Sequence, residues 1–98
     1  MYNILMKFDV FGKVIKVIEK KEEGNCGSFC PKTGIINIDP ELTKKEKDIT
    51  LCHELFHAMC YRLGFHNTNI SHDVEELLAD NFAILLSENA DIKWKNRK

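Results

Sequence analysis

His53 and His57 lie four residues apart with Glu54 between them, in the order His-Glu-x-x-His. That spacing stacks both imidazoles on one face of an α-helix, one turn apart, so both can reach a single metal ion. The Glu54 carboxylate then points towards the adjacent open coordination position, where it can take a proton from water. Zn2+ is the natural ion, since it accepts tetrahedral nitrogen and oxygen ligands. Read blandly, the same residues are a pair of core histidines on a buried helix. The wheel argues against that. Ile49, Cys52, Leu55, Phe56, Met59 and Leu63 form an apolar arc, while Thr50, His53, His57 and Tyr61 share another face with Glu54 at its margin.

The elements that must position these residues are readable from local pattern. Residues 43–46, Thr-Lys-Lys-Glu, form a capping box and predict a helix over 44–63, with Gly64 as its terminator. Upstream, Met6, Phe8 and Val10 alternate with Lys7 and Asp9, predicting a strand over 4–10. Residues 11–13 suit a turn, 14–19 a second strand and 27–30 a short one. Residues 31–34 have turn composition, and Ile35, Ile36, Asn37, Ile38 and Asp39 form a β-branched strand stopped by Pro40.

A second helix is expected over 73–88, capped by Ser71 or Asp73. It is apolar nearly all round (Val74, Leu77, Leu78, Phe82, Ile84, Leu85, Leu86) and is therefore expected to be largely buried. Glu76 and Asp80 interrupt it one turn apart and need partners, and Ala79 and Ala83 would admit another helix closely. Packing against the histidine helix meets both needs. Residues 91–98 read as a frayed polar tail despite Trp94. The expected fold is α+β, a small N-terminal β-sheet followed by the histidine helix and the Glu-bearing helix, as one domain over 1–98.

Composition bounds the function classes. Hydrophobic residues at 44% and charged ones at 30% are an ordinary globular balance. A net charge of −1 gives no basic field, so nucleic acid is not indicated as a partner. No segment has the apolar length of a membrane span. The first residues lack a basic n-region, and their apolar run is broken by Lys7 and Asp9, so a cytoplasmic chain with reduced cysteines is expected. Cys52 and Cys60 fall on the histidine helix as small core residues, whereas Cys26 and Cys30 have no such assignment.

A catalytic zinc site takes three protein ligands and leaves one position open. The third ligand has three sources: Glu76, with Glu75 as its neighbour; His66 or His72; and Cys26 or Cys30. A third histidine at fixed spacing is excluded, because position 60 is Cys where Gly is required and position 63 is Leu where His is required. A Cys ligand would resemble peptide deformylases, but residues 25–28, Asn-Cys-Gly-Ser, lack their Gly-Cys-Leu-Ser context. His72 would resemble the SprT-like proteins, but lacks their following His-Gly.

With His-Glu-Leu-Phe-His at 53–57 and Glu-Leu-Leu-Ala-Asp-Asn-Phe-Ala at 76–83, the chain resembles a minimal gluzincin metallopeptidase. It is similar in particular to the ImmA/IrrE group and to small zinc peptidases of phages and prophages. Asp-Pro-Glu-Leu at 39–42 and the β-rich start share that layout, so the likeness spans residues 4–90. The resemblance implies a zincin-like core in which His53, His57 and Glu76 ligate zinc. It further implies that Asp80 accepts the remaining ring N–H of a ligand, His53 first, which would fix that ring's tautomer. Glu75 has Ala79 one turn on and so no equivalent pair; it reads as a first-turn acid favoured by the helix dipole.

The activity implied is zinc-dependent hydrolysis of a peptide bond in a protein or peptide substrate, with Glu54 activating the water. The strand Ile35, Ile36, Asn37, Ile38 is the one nearest the metal helix in sequence; as a sheet edge it would align an extended substrate. Tyr61, His66 and His72 are the candidates for stabilising the oxyanion. Two alternatives stand beside this reading: a deformylase-like zinc amidase using Cys26 or Cys30, and a non-catalytic zinc module that binds a regulatory partner.

Overall fold

The computed structural model describes residues 4–21, 23–64 and 70–94. Strand β1 (Ile4–Val10) turns into β2 (Lys13–Glu19) through Phe11 and Gly12 alone. Both turn residues have positive φ, 50° and 87°, the twist that a two-residue hairpin requires. Strand β3 (Gly27–Cys30) pairs antiparallel with β4 (Ile35–Ile38), and β4 lies parallel to β2. The sheet order is therefore β1-β2-β4-β3.

This order corrects the expectation for Ile35, Ile36, Asn37 and Ile38. They form an interior strand paired on both sides, and the edge beside the histidine helix is β3. The cause is hydrophobic: Ile36 and Ile38 are fully buried, and a strand that apolar is stabilised most in the middle of the sheet.

Helix α1 (Lys44–Arg62) begins at the expected capping box, in which the Thr43 hydroxyl accepts from the Glu46 N–H and the Glu46 carboxylate accepts from the Thr43 N–H. It lies on the sheet, joining Leu51 and Ala58 to Ile15, Val17, Ile36 and Ile38 in the core, with Leu55 packed against them. The sheet thus takes the Leu51–Leu55–Ala58 stripe, of which only Leu55 belongs to the arc expected from the wheel, and Leu63 stays exposed. Gly27 is where α1 and β3 approach most closely. A Cβ there would come within 2.6 Å of the Asn37 carbonyl oxygen and 2.8 Å of the Thr50 methyl.

Helix α2 (His72–Asn89) starts at Ser71, whose hydroxyl accepts from the Val74 N–H. It runs antiparallel to α1, its one substantial packing partner, with Phe56 and Phe82 rings 5.5 Å apart. The expectation that α2 is largely buried is not met: Ala79 and Ala83 are its only buried residues. With a single neighbour, one stripe of small residues is covered and the larger side chains face water. No helix among the described residues is long and apolar enough to cross a membrane.

The tail is also corrected. Residues 91–94 return to α1, with Ile92 and Trp94 packed against the core. The Trp94 indole N–H donates to Asp48 Oδ1 at 2.6 Å, and Lys44 donates to Asp48 Oδ2 at 2.7 Å. Asp48 is buried, so both bonds offset its desolvation. Residues 95–98 lie outside the described residues. Trp94→Phe, which keeps a ring but loses the donor, is expected to lower stability by about 1–2 kcal/mol. Trp94→Ala should lower it by about 3 kcal/mol through lost packing as well. Urea midpoints measured with an unchanged slope would check both values.

Candidate metal centre

The two helices bring together three side chains that could hold a metal ion. His53 Nε2 and His57 Nε2 are 3.1 Å apart on α1. Glu76 of α2 spans them, its Oε1 3.3 Å from His53 Nε2 and its Oε2 3.0 Å from His57 Nε2. Ligand atoms about 2.0–2.1 Å from a tetrahedral zinc ion stand roughly 3.3 Å from one another, so the triangle has the size of such a site. Among the described residues, His53, His57 and Glu76 are the one group of three whose ligand atoms converge in this way.

The remaining ring nitrogens explain why these three face one another. His53 Nδ1 lies 2.9 Å from Asp80 Oδ1, and His57 Nδ1 lies 2.5 Å from Glu75 Oε2. In the tautomer in which each carboxylate accepts an Nδ1–H, the Nε2 lone pairs are left facing the Glu76 carboxylate, as a metal site requires. In that tautomer two lone pairs and an anion converge within about 3.3 Å, and a cation or a shared proton between them relieves the repulsion. The donor set therefore fits a metal ion.

Asp80 stands where the sequence resemblance put it. Glu75 lies in the first turn of α2, as expected, but it also has a partner. That partner is His57, on α1 and not on α2 itself. On antiparallel helices His53 meets position 80, so His57, one turn on, meets α2 one turn earlier. Glu75 and Glu76 both fall there, about 100° apart around the axis, and so reach opposite nitrogens of the same ring.

The other singled-out residues are dispersed. Glu54, half-buried, lines a groove with His53, Thr50, Ile49, Gly27 and Cys26. Tyr61 lies on the other side of His57, in a hollow with Phe29, Pro31, Cys60 and Glu75, its ring edge-on to Phe29 at 6.5 Å. Strand β3 borders both, through Gly27 and Phe29, so the His53–His57 face of α1 has a recess at either end. His72 is exposed, with Nε2 3.7 Å from Glu76 Oε2. His66 lies outside the described residues.

Cys26 borders the groove but is not in the converging group. Cys26, just before β3, and Cys30, its last residue, are exposed, and Cys52 and Cys60 are buried. The Thr33 hydroxyl and backbone beside Cys30 hold its thiol below the usual range. Burial raises the thiol of Cys52 and pushes that of Cys60 up to about 11. Iodoacetamide should therefore label Cys26 and Cys30 in the folded chain, Cys30 the faster, and reach Cys52 and Cys60 only after unfolding. Peptide mass mapping over a labelling time course checks this order.

Comparison of the chain with protein-family models, curated proteins and solved structures gives no match.

Proposed function

We propose that the chain is a zinc-dependent peptidase of the gluzincin kind. The observation that carries this reading is the convergence of His53 Nε2, His57 Nε2 and Glu76, each imidazole oriented by its own carboxylate, with Glu54 on the adjoining groove. A zinc ion held by these three residues would supply a Lewis acid for the substrate carbonyl and acidify a water. Glu54 would accept that water's proton during attack and pass it to the leaving amine. An extended peptide would lie along the outer edge of β3, its flanking side chains in the two recesses. Tyr61 is the candidate donor to the developing oxyanion. The Cys-ligand amidase has less support, because Cys26 falls outside the converging group.

Digestion of a denatured proteome by the zinc-loaded chain, read as new N-termini by mass spectrometry, tests the reading. Cleavage that a chelator abolishes and added zinc restores is the expected result. Metal binding without any cleavage would leave the non-catalytic zinc module in its place.

A further inference from the structure

The outward face of α2 is symmetric about its own midpoint. Residues 77–85 read Leu-Leu-Ala-Asp-Asn-Phe-Ala-Ile-Leu, with apolar residues two, three and four places on either side of Asn81. The inner pair, Ala79 and Ala83, is buried at 0% exposure. The outer pairs stand in water to matching degrees: Leu77 at 61% and Leu85 at 57%, Leu78 at 45% and Ile84 at 46%. A helix advances about 100° per residue, so Leu78 and Ile84 fall about 60° to either side of Asn81, and Leu77 and Leu85 about 40°.

We propose that this face is the contact of a homodimer, two copies crossing antiparallel about a two-fold axis that passes between their Asn81 side chains. A two-fold contact is made by the same patch on both subunits and must be complementary to itself. A patch with its own near two-fold symmetry meets that condition: Leu77 and Leu78 of one copy meet Ile84 and Leu85 of the other. Helix α2 carries no Lys or Arg, and its Glu75, Glu76 and Asp80 bond to the α1 histidines. The antiparallel crossing brings the exposed Asp73 of one copy towards Glu88 of the other, so charge opposes the approach only at the two ends of the patch.

The area is also of the right order. With Val74, the four outer residues leave roughly 500 Å² of apolar surface in water, towards the upper end of the range for the largest patch on a typical monomer, a size that is often functional. A polar rim brings this towards the roughly 800 Å² per partner of a stable contact. Glu76 lies about 140° round the helix from Asn81, so both metal centres stay accessible in the dimer. The dimer does not depend on the peptidase reading and can fail or hold independently of it.

Sedimentation of the whole chain, up to about 100 µM, should show a reversible monomer–dimer equilibrium. Leu77→Lys combined with Leu85→Lys should give monomer throughout, with an unchanged circular dichroism spectrum. A second arm does not depend on that variant folding. In a Cys26→Ser, Cys30→Ser background, Asn81→Cys should oxidise to a disulfide dimer, whereas Ser87→Cys, which faces away, should not. A wild-type chain that is monomeric throughout, or equal cross-linking at positions 81 and 87, would overturn the proposal.

Discussion

Glu54→Gln should keep the metal and lose turnover. Gln has nearly the shape and helix propensity of Glu, so α1 and its packing on the sheet should be unaffected. Glu54 is not in the converging ligand group; it lines the groove beside His53. What the substitution removes is the ability to take a proton from water at neutral pH, a role typically worth about 10²–10⁴-fold in rate. Cleavage by the variant should fall by about that factor while zinc content and melting temperature hold. Unchanged turnover would remove Glu54 from the chemistry, and loss of zinc would make it a ligand.

The metal affinities of three α2 variants should fall in two tiers. Glu76→Gln replaces an anionic oxygen near both Nε2 atoms with a neutral amide, and should weaken zinc by more than about a hundredfold, beyond what losing an outer partner costs. Asp80→Ala frees the His53 ring and Glu75→Gln weakens the hold on the His57 ring, and each should cost about tenfold to a hundredfold. The sequence reading alone expects Glu75→Gln to change little. The His57 Nδ1–Glu75 Oε2 bond at 2.5 Å reverses that expectation. Competition with a chelator of known affinity measures all three. A neutral Glu75→Gln would mean that this bond does not orient the ring. If it were the most damaging of the three, the ligand would be Glu75.

The parts of the fold set by local chemistry are the parts the sequence reveals. Thr43 and Glu46 mark the start of α1, Ser71 that of α2, and the period-two pattern around Met6 and Phe8 the first strand. What long-range pairing decides is hidden. Strand β4 follows β3 in sequence yet lies parallel to β2, so nearness to the metal helix along the chain misidentified the edge. Glu75 was hidden for a related reason, since its partner is set by the antiparallel crossing of α1. Trp94 sits among polar residues, and its anchor, Asp48, looks like one more surface acid of a charged helix start. An all-round apolar α2 signals burial, but how much of it is covered depends on how many neighbours the fold supplies.

Helix α2 rests on α1 alone to any substantial degree, through two buried alanines, a ring pair and the acids that meet His53 and His57. A helix so held is among the first elements to open locally. An ion that binds Glu76 together with His53 and His57 only in the closed arrangement stabilises closure by mass action. The lifetime of the chain among proteases would then follow the free metal concentration, because cleavage of an opened segment tracks how often it opens. The zinc supply would set how long each molecule survives as well as whether it works.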